Sequence, residues 1–252
     1  MLYGLQRRLI YVPDAGEVPP ADQVVQGAHD VTLRTSDGLE LGAWFVSPQG
    51  RDRRLAVLVA PGNGGNRLGR ASLAESLADR GFGVLLMDHR GYGGNPGSPS
   101  EAGLRLDAEA AVDAMEQLGY PATRTIYFGE SLGTGVVARL ATVRPPAGVV
   151  LRSPFTELAD VGAHHYPWLP VRLLLRDRFP VIDHVGSLDV PLVVVYGDRD
   201  SVVPPELSAR VARAAPRLVD EVVLPGADHN DAVMFGSRMA DVVVTLAEAL
   251  RR

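Results

Sequence analysis

The hydrophobic and polar positions of the chain fall into alternating strand-like and helix-like segments. Short runs of β-branched and aliphatic residues, such as Leu55–Ala60 and Leu192–Tyr196, are typical of buried strands. Between them lie longer segments whose apolar residues recur every three or four positions, as they do in amphipathic helices. This alternation predicts an α/β fold, a mostly parallel sheet with helices on both faces.

The pattern predicts eight strands and five helices. The chain opens with a hairpin of residues 31–35 and 39–46, whose turn is Ser36-Asp37-Gly38. The other predicted strands are 55–60, 83–87, 125–128, 148–152, 192–196 and 221–224. The predicted helices are 66–80, 101–119, 132–143, 205–214 and 231–251.

The composition narrows the function classes. A length of 252 residues, 46% of them hydrophobic and 22% charged, suits one soluble globular domain over residues 1–252. The net charge of −5 argues against a nucleic-acid partner. The chain has no cysteine and no lysine, which excludes a thiol nucleophile and a lysine Schiff base. No histidine cluster has metal-ligand spacing, so we predict neither a metal nor another cofactor.

The first ten residues do not read as a targeting segment. They lack an apolar core followed by a small-residue cleavage site, and no segment of the chain has 18 uninterrupted apolar residues. We therefore expect a cytoplasmic protein without a membrane-spanning helix. The short apolar start leaves contact with a membrane surface as the alternative.

The segment Gly129-Glu130-Ser131-Leu132-Gly133 carries the clearest chemistry. It reads Gly-x-Ser-x-Gly and lies between a predicted strand and a predicted helix. In that position the serine stands on a sharp turn with its hydroxyl exposed, and the next N–H faces an incoming carbonyl oxygen. We predict Ser131 as a nucleophile and the N–H of Leu132 as an oxyanion-hole donor.

A serine nucleophile needs a base, and the base needs an acid to orient it. Enzymes with this elbow place serine, acid and histidine in that chain order. His229 follows the last predicted strand, whereas Asp198 and Asp200 both follow the strand 192–196 and both remain candidates for the acid. The N–H of Asn63, in a glycine-rich loop after strand 55–60, is the second predicted oxyanion donor. A phosphate-binding loop there is disfavoured, because no Lys-Ser/Thr follows.

Six motifs in a fixed order give the chain a family resemblance. They are Gly62-Asn63-Gly64-Gly65-Asn66, Asp88-His89-Arg90-Gly91-Tyr92-Gly93, the Gly129–Gly133 elbow, Ser153-Pro154-Phe155-Thr156, Gly197–Pro204 and Gly226–Asp231. The chain resembles the α/β-hydrolase superfamily, and within it the compact branch that includes protein depalmitoylases and their bacterial relatives. It departs from that branch at Pro61, where a histidine is usual, and it lacks the transmembrane helix with which many relatives start.

The resemblance extends the assignment of roles. It implies an α/β-hydrolase fold of about eight strands, and it favours Asp200 as the acid because Asp200 stands in the Asp-x-x-Val-Pro spacing of the family. Asp198 is then a turn residue. Residues 155–185 occupy the position of a small cap, and we expect Phe155, Tyr166 and Trp168 to line an apolar acyl pocket there. A plain core helix is the alternative for this segment.

The predicted function is a serine hydrolase that cleaves carboxylic ester or thioester bonds of a small or acylated substrate through an acyl-enzyme. A serine nucleophile, instead of an aspartate, argues against a dehalogenase or an epoxide hydrolase. Three alternatives stay open: a peptidase or amidase, an acyltransferase with an acceptor other than water, and a binding protein of the same fold without turnover.

Overall fold

The computed structural model describes the backbone of residues 2–251 and the side chains of residues 6–251. Within these residues the principal sheet has eight strands. The strands are β1 (Ala28–Arg34), β2 (Glu40–Val46), β3 (Ala56–Ala60), β4 (Gly83–Met87), β5 (Thr125–Glu130), β6 (Gly148–Arg152), β7 (Leu192–Gly197) and β8 (Leu218–Leu224).

The sheet is parallel except at one end. Its strand order is β8-β7-β6-β5-β3-β4-β2-β1, and β2 runs antiparallel to both of its neighbours, β1 and β4. All the other pairs are parallel. The carboxyl ends of β3, β5, β6, β7 and β8 therefore open on one edge of the sheet, where α/β proteins place their sites. The predicted fold class is confirmed.

Helices cover both faces of this sheet. They are α1 (Leu2–Ile10), α2 (Ala71–Asp79), α3 (Glu101–Gln117), α4 (Leu132–Val143), α5 (Leu158–His165), α6 (Val171–Leu174), α7 (Val181–Gly186), α8 (Pro205–Ala214) and α9 (Ser237–Ala249). Helices α3, α4, α7 and α8 bury their apolar residues against one face, and α2 and α9 against the other. The core strands are buried on both sides, as their continuous apolar runs indicate.

Four element starts differ from the prediction by three residues or more. β1 begins at Ala28 and not at residue 31, and α2 begins at Ala71 and not at residue 66, after a 3₁₀ turn of Arg67–Arg70.

β8 begins at Leu218, three residues before the predicted start. The prediction missed this part because its first four residues, Leu-Val-Asp-Glu, are exposed at the sheet edge and do not have the continuous apolar pattern of a buried strand. α9 begins at Ser237 and not at residue 231. The residues before it form a short 3₁₀ turn, Ala232–Met234, and then reach Gly236, the residue that precedes the helix.

The N-terminal segment is structured in a way that the pattern did not predict. After α1, residues Val12–Pro13 pair in parallel with Gly64–Gly65, and the Val12 N–H donates to the Asn63 carbonyl oxygen at 3.0 Å. The start of the chain is thereby tied to the loop that follows β3. None of the helices described is long and apolar enough to cross a membrane.

Residues 155–185 lie between β6 and β7, in the position predicted for the cap. They contain three short helices, α5, α6 and most of α7, and are not one plain core helix. The apolar residues Val171 and Val181 are buried, whereas Leu173 between them is exposed. The proline residues of the segment separate its helices, since proline cannot continue a helix from the preceding turn.

Candidate active site

Ser131 stands on a strained turn between β5 and α4. Its backbone angles are φ 49° and ψ −115°, in a region that residues other than glycine seldom adopt. The Ser131 N–H donates to the Arg152 carbonyl oxygen at 2.8 Å, and its own carbonyl oxygen accepts the Thr134 hydroxyl at 2.6 Å. These bonds hold the turn in the conformation predicted for a nucleophile elbow.

The glycines that flank the serine are required by close packing. A Cβ placed on Gly129 would lie 2.6 Å from the Val137 side chain, and one on Gly133 would lie 2.2 Å from the Ala60 carbonyl oxygen. No side chain fits at such distances. Glycine at both positions therefore lets the elbow pack directly on the neighbouring strand and helix.

Asp200 and His229 are brought together by the ends of β7 and β8. His229 Nδ1 lies 2.8 Å and 3.0 Å from the two carboxylate oxygens of Asp200, and both side chains are buried. Burial alone would raise the pKa of the Asp200 carboxyl, but the His229 ring and the Val203 N–H hold it below its ordinary value. Asp200 is therefore ionised and fixes the orientation of the imidazole.

The competing aspartate has a different role. Asp198 is exposed, and its carboxylate accepts the Gly226 N–H at 2.6 Å. It ties the turn after β7 to the turn after β8. The carboxylate that binds the His229 ring in the described structure is that of Asp200. The structure thus places Asp200 beside the histidine and Asp198 in the turn.

A buried ion network under the site was not found from the sequence. Glu130, Arg70 and Arg152 are buried together, with Arg70 Nε 3.0 Å and Arg152 Nη2 3.6 Å from one carboxylate oxygen of Glu130. Both guanidinium groups also lie over the Phe235 ring, at 5.6 Å and 4.6 Å from its centroid. Arg152 Nη1 donates to the His229 carbonyl oxygen at 3.0 Å, so this network anchors the histidine loop.

The residues that carry the two predicted oxyanion donors, Asn63 and Leu132, line the same cavity as Ser131. Leu132 is the first residue of α4, and the first N–H groups of a helix have no intrahelical partner. Asn63 lies in the loop after β3, which packs closely on the elbow. A Cβ placed on Gly62, its neighbour, would be 3.3 Å from Ser131 Cβ.

A cavity of about 270 Å³ opens beside Ser131 and is lined mainly by apolar side chains. Phe155 and Tyr166 line it, as predicted. Trp168 does not: its side chain is 77% exposed and meets Tyr166 edge to face at 6.4 Å, because the turn around Pro167 directs it outward. The expected role of Trp168 in the pocket is therefore corrected.

The N-terminal helix α1 supplies part of the cavity wall through Gln6, Leu9 and Ile10. No sequence signal identified this contribution, because α1 itself was not predicted. Among the described residues, no cluster of His, Asp or Glu side chains is arranged to hold a metal ion.

Comparisons with known proteins decide the family. The family described as "Serine aminopeptidase, S33" (Hydrolase_4) matches residues 51–182, more than half of the chain. The protein belongs to the α/β-hydrolase superfamily. This α/β-hydrolase is 47% identical over 252 residues to an uncharacterized protein of Mycobacterium tuberculosis, across 100% of this chain and 88% of the relative.

More distant relatives carry hydrolase names. The α/β-hydrolase domain-containing protein WAV2 of Arabidopsis thaliana is 26% identical over 264 residues, covering 95% of this chain and 86% of its own. Lysophosphatidylserine lipase ABHD12 of Danio rerio is 29% identical over 229 residues, covering 76% and 60% respectively.

Solved structures agree with the fold of this α/β-hydrolase. An esterase of Pyrococcus furiosus superposes with a TM-score of 0.72 at 22% identity, over 96% of this chain and 97% of that one. At this identity the likeness shows the fold alone. The family match is what supports a hydrolase.

Proposed function

We propose that this α/β-hydrolase is a serine esterase or thioesterase in which Ser131 is the nucleophile, His229 the base and Asp200 the acid that orients it. The observation that carries the proposal is the buried Asp200–His229 pair, joined through Arg152 to a strained serine that faces an apolar cavity. The three residues occur in the chain order of enzymes with this elbow.

The proposed reaction begins with attack of Ser131 Oγ on the acyl carbonyl carbon. Asp200 accepts a hydrogen bond from His229 Nδ1–H, which leaves Nε2 free to take the serine proton. The N–H groups of Asn63 and Leu132 hold the tetrahedral oxyanion, and loss of one such donor typically costs roughly 3–4 kcal/mol. The leaving alcohol or thiol takes the proton from His229, and water then hydrolyses the acyl-enzyme with the same base.

The cavity favours an acyl group over a peptide. No Asp or Glu is found among the described residues that line it, so a free amino terminus would lose its hydration without gaining a counter-ion. This argues against an aminopeptidase, although the family description uses that word. An apolar acyl chain of short to medium length matches both the lining and the volume of about 270 Å³.

A fluorophosphonate probe tests the nucleophile directly, because it labels an activated serine. We expect labelling of the wild-type protein, loss of labelling in Ser131→Ala, and strongly reduced labelling in His229→Ala. Ser208→Ala is a matched control, since Ser208 is also buried and its hydroxyl donates to the Pro154 carbonyl oxygen at 2.6 Å, away from the cavity. It should keep full labelling.

Turnover of p-nitrophenyl esters and thioesters of increasing chain length tests the substrate class. We expect a maximum at intermediate chain length and no turnover in Ser131→Ala. Products formed with added alcohols would identify an acyltransferase, and faster cleavage of aminoacyl amides would identify a peptidase. A folded wild-type protein that is neither labelled nor active would replace the proposal with a binding protein of this fold.

A further inference from the structure

The loop that carries Asn63 is tied to the N-terminal segment at one end, where the Val12 N–H donates to the Asn63 carbonyl oxygen at 3.0 Å and Asn63 Nδ2 donates to the Ile10 carbonyl oxygen at 2.8 Å. It begins with Pro61, which has no N–H to donate, and continues through Gly62, the most flexible type of residue. The N–H of Asn63 belongs to the peptide unit between Gly62 and Asn63. Its direction is therefore set by whatever holds the two neighbouring peptide units.

Two side chains from one neighbouring loop bind those units, alongside the Val12 N–H that also donates to the Asn63 carbonyl oxygen. The Tyr92 hydroxyl donates to the Asn63 carbonyl oxygen at 3.0 Å, and His89 Nε2 lies 3.0 Å from the Pro61 carbonyl oxygen. The two rings meet edge to face, with centroids 5.9 Å apart and an interplanar angle of 81°. The carbonyl groups on both sides of Gly62 are thus anchored to residues 89–92.

The protonation state of His89 follows from its surroundings. The side chain is fully buried, and burial lowers its pKa from the ordinary value, so the ring is neutral near pH 7. A carbonyl oxygen can only accept a hydrogen bond, so the proton lies on Nε2. His89 Nδ1 then carries no proton, and it has no hydrogen-bond partner among the described residues. Within the described residues, the hydrogen bond that Nε2 donates to the Pro61 carbonyl oxygen is therefore the one hydrogen bond of this side chain.

The loop that supplies His89 and Tyr92 is itself rigid. Arg90 binds Asp107 through Nε at 2.9 Å and Asp37 through Nη1 at 2.7 Å. Asp88 binds Arg67 at 2.6 Å in the interior of the protein. A loop held at both of these points is a firm support for the two hydrogen bonds that it donates.

We propose that His89 and Tyr92 are positioning residues that together clamp the Pro61 and Asn63 carbonyl groups and so aim the Asn63 N–H at the oxyanion. The inference rests on the proposed function, because the clamp matters for catalysis when Asn63 is an oxyanion donor. Preorganised donors act strongly in acyl transfer, and a misplacement of about 1 Å can cost as much as 10²-fold in rate.

Tyr92→Phe is the principal test, since it removes one hydroxyl and keeps the ring. The matched control is Tyr127→Phe: Tyr127 is also buried, and its hydroxyl donates to the Arg144 carbonyl oxygen at 3.0 Å on another part of the sheet. At His89, glutamine keeps an N–H donor and leucine removes it. For each variant we would measure Tm, kcat and KM on the best ester, and the Ki of a trifluoromethyl ketone, whose hemiketal oxygen mimics the oxyanion.

We expect kcat of Tyr92→Phe to fall roughly tenfold with KM nearly unchanged, and the trifluoromethyl ketone to bind weaker by a similar factor. Tyr127→Phe should lose a comparable amount of Tm and keep both kcat and Ki. His89→Gln should retain more kcat than His89→Leu.

Two results would overturn the clamp, and they are distinguishable. If Tyr92→Phe and Tyr127→Phe show the same kcat and Ki, the hydroxyl of Tyr92 has a structural role and the proposed esterase stands. If the folded wild-type protein has no ester turnover and no ketone binding, the proposed function fails and the clamp fails with it.

Discussion

Arg152 donates a hydrogen bond from Nη1 to the backbone carbonyl oxygen of His229 at 3.0 Å. The carbonyl oxygen of the same arginine accepts the Ser131 N–H at 2.8 Å. One residue at the end of β6 is therefore tied to both the proposed nucleophile and the proposed base. Its guanidinium is 2% exposed and lies beside the carboxylate of Glu130, since a buried charge needs a partner of opposite charge.

This relationship predicts a strong effect of Arg152→Met. The substitution leaves Glu130 with Arg70 as its remaining cation and frees the His229 loop. We expect the free energy of unfolding to fall by about 1–3 kcal/mol, because the buried His229 carbonyl oxygen loses its donor while Glu130 keeps Arg70, and kcat to fall with it. Urea unfolding and ester turnover would measure both.

Arg144→Met is the control for that substitution. Arg144 also pairs with two carboxylates, Asp113 at 3.0 Å and Glu116 at 2.7 Å, but at the surface. Exposed pairs contribute about 0–1 kcal/mol, so its stability and kcat should change little. Equal effects of the two substitutions would show that the burial of Arg152 and its bond to His229 are unimportant.

The ionisation of Asp200 predicts a pH dependence of stability. Its pKa in the folded protein lies below the ordinary value, mainly because the His229 ring and the Val203 N–H outweigh the effect of burial. The folded state then binds fewer protons than the unfolded state. The stabilisation from Asp200 is present above the ordinary carboxyl pKa and is lost progressively as the pH falls below about 5.

Asp200→Asn should therefore be less sensitive to acid than the wild type, with a smaller loss of unfolding free energy between neutral and acidic pH. If the proposed triad is correct, it should also lose kcat by on the order of 10⁴, the effect of the same change in a serine protease with a Ser-His-Asp triad. Asp198→Asn, in the neighbouring exposed turn, should keep kcat. Urea titrations at several pH values and ester assays would show whether Asp200 and Asp198 differ in this way.

The cavity wall predicts a change in chain-length preference. Val161 on α5 lines the cavity, so Val161→Phe should fill part of its volume and move the ester optimum to shorter chains. Trp168→Phe should leave the optimum in place, since Trp168 is exposed and outside the lining. A chain-length profile that shifts in neither variant, or in both, would contradict this description of the pocket.

The strand ends of this fold were predictable because their signals are local. Ser131, Asp200 and His229 each follow a short apolar run, and a parallel sheet brings the ends of such runs to one edge. The sequence also narrowed the acid to two neighbouring aspartates. The spacing to valine and proline then favoured Asp200, the one that contacts His229 in the structure.

What the sequence did not reveal depends on distant contacts. Arg152 reads as one more arginine in a chain with many, and its role requires Glu130 and His229 to meet in space. Helix α1 is too short for its apolar positions to form a recognisable helical pattern. It nevertheless forms part of the cavity wall. Trp168 is a large aromatic residue of the kind that often lines pockets. The turn at Pro167 directs its side chain outward, away from the cavity.

The close packing under the elbow gives the last prediction. A methyl group at Gly133 would meet the carbonyl oxygens of Ala60 at 2.2 Å and Pro61 at 2.6 Å, which are backbone atoms that cannot rotate away. Gly133→Ala should therefore push the Asn63 loop from Ser131, lower the free energy of unfolding by about 1–3 kcal/mol or more, and remove most of the ester turnover. Gly69→Ala is the control, because a Cβ there meets no atom within 4 Å. Thermal unfolding and kcat should separate the two variants, and a Gly133→Ala protein as active and stable as Gly69→Ala would show that the loop can yield without loss of function.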